Sequence, residues 1–369
     1  MRRFVILVFL AVIFALPVAA DEVYSADDFD IAGITDSLPD EVLEYLPDDI
    51  FDPSAASRTG VGFFANVGAK LLKTALSPAL MSFSKLLGIV VAASVVNSLR
   101  TAVKSDSLIA VFDFIAGICV MLAMFEIVEK MFTLVKNYLS LLSGVMDSFL
   151  PVMSAMSAAG GDLNAAVVSS GGLILGLDLI EKLAANGLMP VLQLCFGIAM
   201  ASGVGGGLKL SGISKLIRDG FSWILGFLAA AISAVMSFQT TIAARADSLS
   251  MRAVKFAASN AIPVAGGIAA DAVRTVAGSL SLIKSTVGWA GVIIVLLITM
   301  PVMIQVILTR LGVVFAETSA GILGLEREKG LLTEVSGLLG FLIAVCVIAS
   351  LMFIYALAVF ARGTVALAG

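Results

Sequence analysis

Long apolar runs separated by short charged stretches are the dominant pattern of this chain. Four of these runs carry no charged residue, namely Leu183–Leu208, Gly220–Ala244, Ser285–Thr309 and Val335–Ala361. Each has at least 25 residues, whereas a helix needs only about 20 residues to cross roughly 30 Å of hydrocarbon. The pattern therefore predicts membrane spans near 187–206, 221–241, 287–308 and 338–360.

The first half of the chain predicts four further spans, and each of them contains or touches a charge. They lie near 78–99, 107–125, 138–158 and 163–180. Residues 58–77 and about 311–333 mix apolar and charged positions, which is typical of amphipathic helices at a membrane interface. The prediction is an all-α polytopic membrane helix bundle of about eight spans, with a multi-span domain over 78–369.

Residues 258–282 do not fit a simple span. Pro263, Gly266 and Gly267 interrupt the helical pattern, and Asp271 follows. Such breaks are tolerated at membrane depth where the chain is buried in protein or lines a cavity. A re-entrant segment, or a pair of packed surface helices, therefore fits this segment better than a span.

Two stretches of the chain match at an offset of 66 residues. Both consist of a Gly, then Leu-Ile, a cation and a Trp, and they run from Gly212 to Trp223 and from Gly278 to Trp289. An internal duplication accounts for the match, and so does the general composition of helices that enter a membrane. If residues 258–282 do not cross, the copies run in opposite directions, as in the inverted repeats of many transporters.

Composition supports a membrane protein and excludes much enzyme chemistry. Hydrophobic residues make up 60% and charged residues 14% of the chain, against roughly half and a quarter in soluble domains. The chain has no histidine, which removes Ser-His-Asp triads and histidine-ligated zinc or haem sites. Its three cysteines lie singly in apolar stretches, so no CxxC site is expected. We therefore predict no catalytic, cofactor or metal site and no enzymatic activity.

The negative charge is concentrated near the N-terminus. Residues 1–20 begin with two arginines, continue as an apolar run and end in small residues, which predicts a signal peptide cleaved after Ala20. An uncleaved anchor is the alternative. Residues 21–57 carry twelve Asp or Glu and no Lys or Arg. Like-charge repulsion favours a disordered extracytoplasmic leader, with a short amphipathic patch that docks a partner as the alternative.

Charged residues inside the predicted spans are the candidate functional positions. Asp147 lies near the middle of its span, where an Asp costs roughly 2.5–3.5 kcal/mol on insertion and should face protein or water. A polar pathway or ion site accounts for it, and so does a buried helix–helix hydrogen bond. Lys85, Asp113 and Asp178 lie in or beside other predicted spans and complete this candidate pathway.

The chain resembles the stage III sporulation protein AE family of spore-forming Firmicutes. The resemblance rests on the order of a signal peptide, a short acidic segment and a Gly/Ala-rich multi-span body. It rests also on the segment Asn260–Gly267 followed by Asp271, and on the two Leu-Ile-cation-Trp helices. It covers essentially the whole mature chain.

The resemblance implies a multi-pass protein of the mother-cell membrane around the forespore, with its mature N-terminus outside the cytoplasm. The partners it implies are the other stage III A operon products: ring-forming proteins, a cytoplasmic ATPase and small membrane proteins. The lipid bilayer surrounds them, and no nucleic acid is involved. Such an assembly resembles a secretion system and is required for endospore development. From the residues alone, the alternative is a stand-alone secondary transporter with a polar site around Asp147.

Overall fold

A computed structural model describes residues 29, 31–47, 49–52, 58–100, 106–159, 187, 189–204, scattered positions between 212 and 234, and 266–362. Within the helices, the side chains at 99, 100, 106–110, 113, 189, 199, 201–204, 266–280, 359 and 362 lie outside this description. The predicted signal peptide and the predicted span near 163–180 fall outside the described residues.

The described chain is helical throughout, and no strand occurs in these residues. In chain order the helices are α1 (Ala32–Asp36), α2 (Asp40–Leu43), α3 (Val61–Arg100), α4 (Asp106–Ala159), α5 (Met189–Val204), α6 (Gly266–Ile322) and α7 (Glu326–Arg362). Within the described residues, three stretches are long and apolar enough to cross a membrane: Val61–Ser98, Ser281–Ile322 and Glu326–Ala358. The all-helical class and a membrane location are therefore supported.

The four long helices form a bundle of two antiparallel hairpins. Helices α3 and α4 make the first hairpin, and α6 and α7 make the second, which has the most extensive helix–helix contact in the described structure. Helix α5 packs against α4 and α7. The ring centroids of Phe83 on α3 and Phe315 on α6 lie 6.1 Å apart. The position of Gly68 on α3 faces Met300 on α6, so these two helices run parallel.

The turn between α6 and α7 depends on one glycine. Gly324 has φ of 73°, in the left-handed region that side chains with a Cβ adopt only at a cost. The N–H of Leu325 bonds the Ala320 carbonyl at 2.9 Å, and the N–H of Gly324 bonds the Gly321 carbonyl at 3.2 Å. This pair of bonds is a Schellman motif, which satisfies the last carbonyls of α6.

Several segments that the sequence predicts as separate elements form continuous helices in the structure. Helix α4 runs without interruption through the predicted spans near 107–125 and 138–158, and it has 54 residues. Helix α3 joins the predicted amphipathic segment 58–77 to the span near 78–99 from residue 61 onward. The count of eight spans, the re-entrant segment and the repeat are therefore not confirmed.

The long helices exceed the thickness of a bilayer, so only a part of each helix can lie within the membrane. Helix α6 has 57 residues and is about 85 Å long at 1.5 Å per residue. Its uncharged run is Ser285–Thr309, and that of α7 is Val335–Ala361. The longest uncharged runs are Leu86–Leu99 in α3 and Phe114–Phe125 and Ser148–Ala159 in α4. Among these four long helices, the uncharged runs of α6 and α7 alone reach the length of a span, so these two runs define the bilayer depth.

Candidate functional site

The outward face of α4 is hydrophilic over a long stretch. Between positions 126 and 147 every exposed residue is charged, polar or glycine. These residues form what we term the polar face: Glu126, Glu129, Lys130, Thr133, Lys136, Asn137, Ser140, Gly144 and Asp147. They recur every three or four positions, so they lie along one side of the helix.

The opposite face of α4 is apolar and packed. Within the same stretch the fully buried residues include Val135, Leu142, Val145 and Met146, all with no exposed surface. Tyr138 and Ser143 are the two buried residues of this stretch that have polar side chains. Burial of this face against α6 and α7 directs the polar face away from the bundle.

A buried cluster of hydroxyl groups connects α4 to α6 and α7. The Tyr138 hydroxyl lies 2.7 Å from Ser350 Oγ on α7 and 3.3 Å from Thr299 Oγ1 on α6. The two smaller hydroxyls are 3.1 Å apart. They also donate to backbone carbonyls of their own helices, Thr299 to Val295 and Ser350 to Cys346. We term this group the hydroxyl clasp; its buried members form hydrogen bonds with one another and with backbone carbonyls.

The polar face lies at the depth of the uncharged runs of α6 and α7. The hydroxyl clasp joins the middle of the polar face to both runs. Further along α4, Phe149 packs against Gly291 and Leu357, and a Cβ at position 291 would lie 3.0 Å from the Phe149 ring. At the other end Gly117 faces Arg327, at the start of α7. Helix α4 thus runs parallel to α7 with its charged stretch beside uncharged helix.

The acidic leader also lies at this depth. Ile34, Leu38, Val42 and Ile50 are buried, with α1 packed on α4 and α2 on α6. A cavity of about 540 Å³ separates this segment from α3, α4 and α6. Its lining includes Tyr45 from the leader and Leu71, Asn137, Tyr138, Leu297 and Gln305 from the helices.

Acidic side chains of the leader are exposed. These include Asp36, Asp40, Glu41 and Glu44, of which Glu41 and Glu44 also line the cavity, while Leu38 and Val42 between them are buried. The structure therefore describes packed helical turns in part of the segment for which the sequence favours disorder. The physical reason is spacing, because the apolar residues are sparse yet fall on one side of short helices.

Two predicted site residues lie on the α3/α4 hairpin in exposed positions. Asp147 is exposed, as a member of the polar face. Lys85 lies on α3, and its Nζ is 3.7 Å from Glu126 Oε1, with both side chains more than half exposed. This exposed ion pair links α3 to one end of the polar face.

The remaining predicted positions are described in part or not at all. The side chain of Asp113 lies outside the description, although its backbone belongs to α4. Asp178 and Pro263 are outside the described residues. Gly266, Gly267 and Asp271 lie in the first turns of α6, whose backbone is helical there. The proposed break at Pro263 stays a prediction.

In the described part of the chain, no three Cys, Asp or Glu side chains form a group that could hold a metal ion.

The functional feature that the sequence analysis missed is the continuity of the polar face. Glu126 follows the end of the predicted span near 107–125, and Glu129 and Lys130 lie between that span and the one predicted near 138–158. Their spacing with Thr133, Lys136 and Ser140 carries a helical period that could have revealed one face.

Comparison with known proteins identifies one family and one curated relative. The family model described as Stage III sporulation protein AE matches residues 62–364. The chain is 28% identical over 166 residues to Stage III sporulation protein AE of Bacillus subtilis (strain 168). That match covers 44% of this chain, and the chain spans 42% of the length of that relative. No solved protein structure matches the chain.

Proposed function

Since the chain belongs to the stage III sporulation protein AE family, we propose that it is a membrane core subunit of a channel complex that links mother cell and forespore. Membership of this family implies a role in sporulation. The observation that carries the proposal is the polar face of α4. A helix that exposes five charged residues beside two uncharged spans needs water or protein on that side, which suits a subunit of an assembly better than a helix surrounded by lipid.

The proposed setting is the mother-cell membrane around the forespore. There the chain is multi-pass, with the mature N-terminus outside the cytoplasm. Its partners are ring-forming proteins, a cytoplasmic ATPase and small membrane proteins, and its role is assembly or passage of material without enzymatic activity. The acidic leader supports this setting, because its exposed carboxylates form a hydrophilic surface beside the bundle.

Affinity purification of the tagged full chain from sporulating cells tests the proposal. Extraction in mild detergent is expected to recover ring-forming proteins and a cytoplasmic ATPase, and deletion of the chain is expected to block spore formation. An unrelated tagged multi-span protein from the same cells is the control. Recovery of the chain alone, together with normal spores after its deletion, contradicts the proposal.

A stand-alone transporter is not favoured. Such proteins bind substrate between helices near the bilayer midplane. In the described structure Asp147 is exposed on the outer side of α4 and is not among the residues that line the cavity between the leader, α3, α4 and α6.

A further inference from the structure

We propose that the polar face of α4, together with the acidic leader, lines a water-filled passage for hydrophilic solutes at bilayer depth. This deepens the proposed function and rests on it for the assembly that completes the passage. It goes further by assigning the passage to one side of this chain and to named residues of α4.

The first step is length. The polar face extends from Glu126 to Asp147, which is about 32 Å at 1.5 Å per residue. The hydrocarbon core of a bilayer is roughly 30 Å thick. The hydrophilic stretch is thus as long as one crossing, and contacts with the uncharged runs of α6 and α7 hold it at that depth.

The second step is the cost of facing lipid. The polar face carries three carboxylates and two ammonium groups, and a charged side chain at the centre of a membrane helix costs about 2.5–3.5 kcal/mol on insertion scales. Snorkelling relieves this cost for a residue near a helix end. It does not relieve the cost for Lys136, which lies two residues from the hydroxyl clasp at mid-depth. This side of α4 therefore does not contact lipid.

The third step is independent of α4. The leader packs over the cavity beside Leu297 and Pro301, in the uncharged run of α6, and its carboxylates are exposed at that level. Asn137 belongs both to the polar face and to the lining of this cavity. Lys70 of α3 adds a cation, with its Nζ 5.8 Å from the centroid of the Tyr45 ring. The polar face, the acidic leader and Lys70 thus place charged and polar side chains next to one another at one depth.

Water accounts for these surfaces better than a close-packed partner helix does. Helices associate in membranes through small residues that allow close approach of their backbones. The polar face offers one glycine, Gly144, among long charged side chains such as Glu129, Lys130 and Lys136. These side chains keep a second helix at a distance. Because both signs of charge are present, the passage suits hydrophilic solutes of either sign.

Cysteine accessibility in sealed membranes tests the proposal. The full chain is made with its three native cysteines replaced by alanine or serine, and single cysteines are introduced by Ser140→Cys and Thr133→Cys on the polar face. Ile348→Cys is the matched control, because it is partly exposed on α7 at a similar depth. Leu142→Cys is the buried control. The probe is a charged, water-soluble methanethiosulfonate reagent.

The two polar-face cysteines are expected to react at least about tenfold faster than the control on α7, since the reagent requires a hydrated thiolate. Equal protection of Ser140→Cys and Ile348→Cys in membranes, with both reactive in detergent, overturns the proposal, because lipid or a partner then covers the polar face. Equal reactivity of both also overturns it, because this depth is then not in the bilayer. The sealed membranes come from sporulating cells, so the proposed assembly is present. The readout is labelling of this chain alone, so a failed co-purification leaves it interpretable.

Discussion

Two outward helix edges run side by side at one depth of the bundle, one on α4 and one on α7. The edge of α7 consists of partly exposed Ala344, Val347, Ile348, Leu351, Met352 and Tyr355. The edge of α4 is the polar face. The hydroxyl clasp ties both helices to the same level, so the contrast does not arise from a difference in depth.

The inner faces of the two helices show no such contrast. Leu142 and Val145 on α4 and Leu338 and Leu342 on α7 are all fully buried apolar residues. Packing requires apolar side chains on the inner faces of both helices. The difference between their outer edges therefore reflects what surrounds the bundle. One side suits lipid, and the other suits water.

The largest effect is expected where a charge enters the inner face of α4. Leu142→Asp places a carboxylate at a position with no exposed surface, and an unpaired buried charge costs about 3–5 kcal/mol. Folded protein should be lost from the membrane, as measured by fluorescence-detected size exclusion of a tagged chain. Ser140→Asp, two positions away on the polar face, is the control and should accumulate normally. Similar losses for both variants would show that the two faces do not differ.

A charge on the outer edge of α7 gives the next largest effect, and a charge on the outer edge of α4 is its control. Ile348→Lys is expected to reduce stability or membrane insertion by about 2.5–3.5 kcal/mol if α7 faces lipid. Ser140→Lys should change the free energy of unfolding by less than about 0.5 kcal/mol, as for exposed substitutions in general. Glycosylation-reporter insertion and thermal unfolding in detergent measure the two quantities. Tolerance of Ile348→Lys would remove the contrast between the edges.

Close packing between α6 and α7 predicts a smaller loss. A Cβ at Gly288 would lie 2.5 Å from Ala361 Cβ and 3.2 Å from the Leu357 carbonyl oxygen. Because backbone atoms cannot yield as a flexible side chain does, Gly288→Ala should destabilise the chain by about 1–3 kcal/mol. Gly330→Ala is the matched control on α7, since a Cβ there meets no heavy atom within 4 Å. An unchanged melting temperature for Gly288→Ala would contradict this packing.

The hairpin of α6 and α7 was largely predictable from the sequence, because two uncharged runs longer than a bilayer crossing leave few alternatives. The continuity of α4 was not predictable. Glu126, Glu129 and Lys130 fall between the two spans predicted near 107–125 and 138–158, and a single-sequence pattern does not reveal which side of a helix is packed. The structure accommodates them on the outside of one long helix.

The contacts at the centre of the candidate site were even harder to predict from the sequence. Tyr138 is separated by 161 residues from Thr299 and by 212 from Ser350, and none of the three belongs to a local motif. Asp147 was identified by its position in a predicted span, whereas its companions on the polar face required the rotation of α4, which tertiary packing sets. The apolar spacing in the leader was visible, but its packing partners were not.

The smallest effect is expected from the hydroxyl clasp itself. Tyr138→Phe removes one hydroxyl, yet Thr299 and Ser350 remain 3.1 Å apart and keep their backbone acceptors. Interhelical hydrogen bonds in membrane proteins average about 0.6 kcal/mol, so the free energy of unfolding should fall by about 0.5–1 kcal/mol, as measured by reversible unfolding in mixed micelles. Tyr355→Phe on the outer edge of α7 is the control and should have no measurable effect. A loss of more than about 2 kcal/mol, or protection of Ser140→Cys in the Tyr138→Phe background, would mean that the clasp, and not the apolar inner face, sets the rotation of α4.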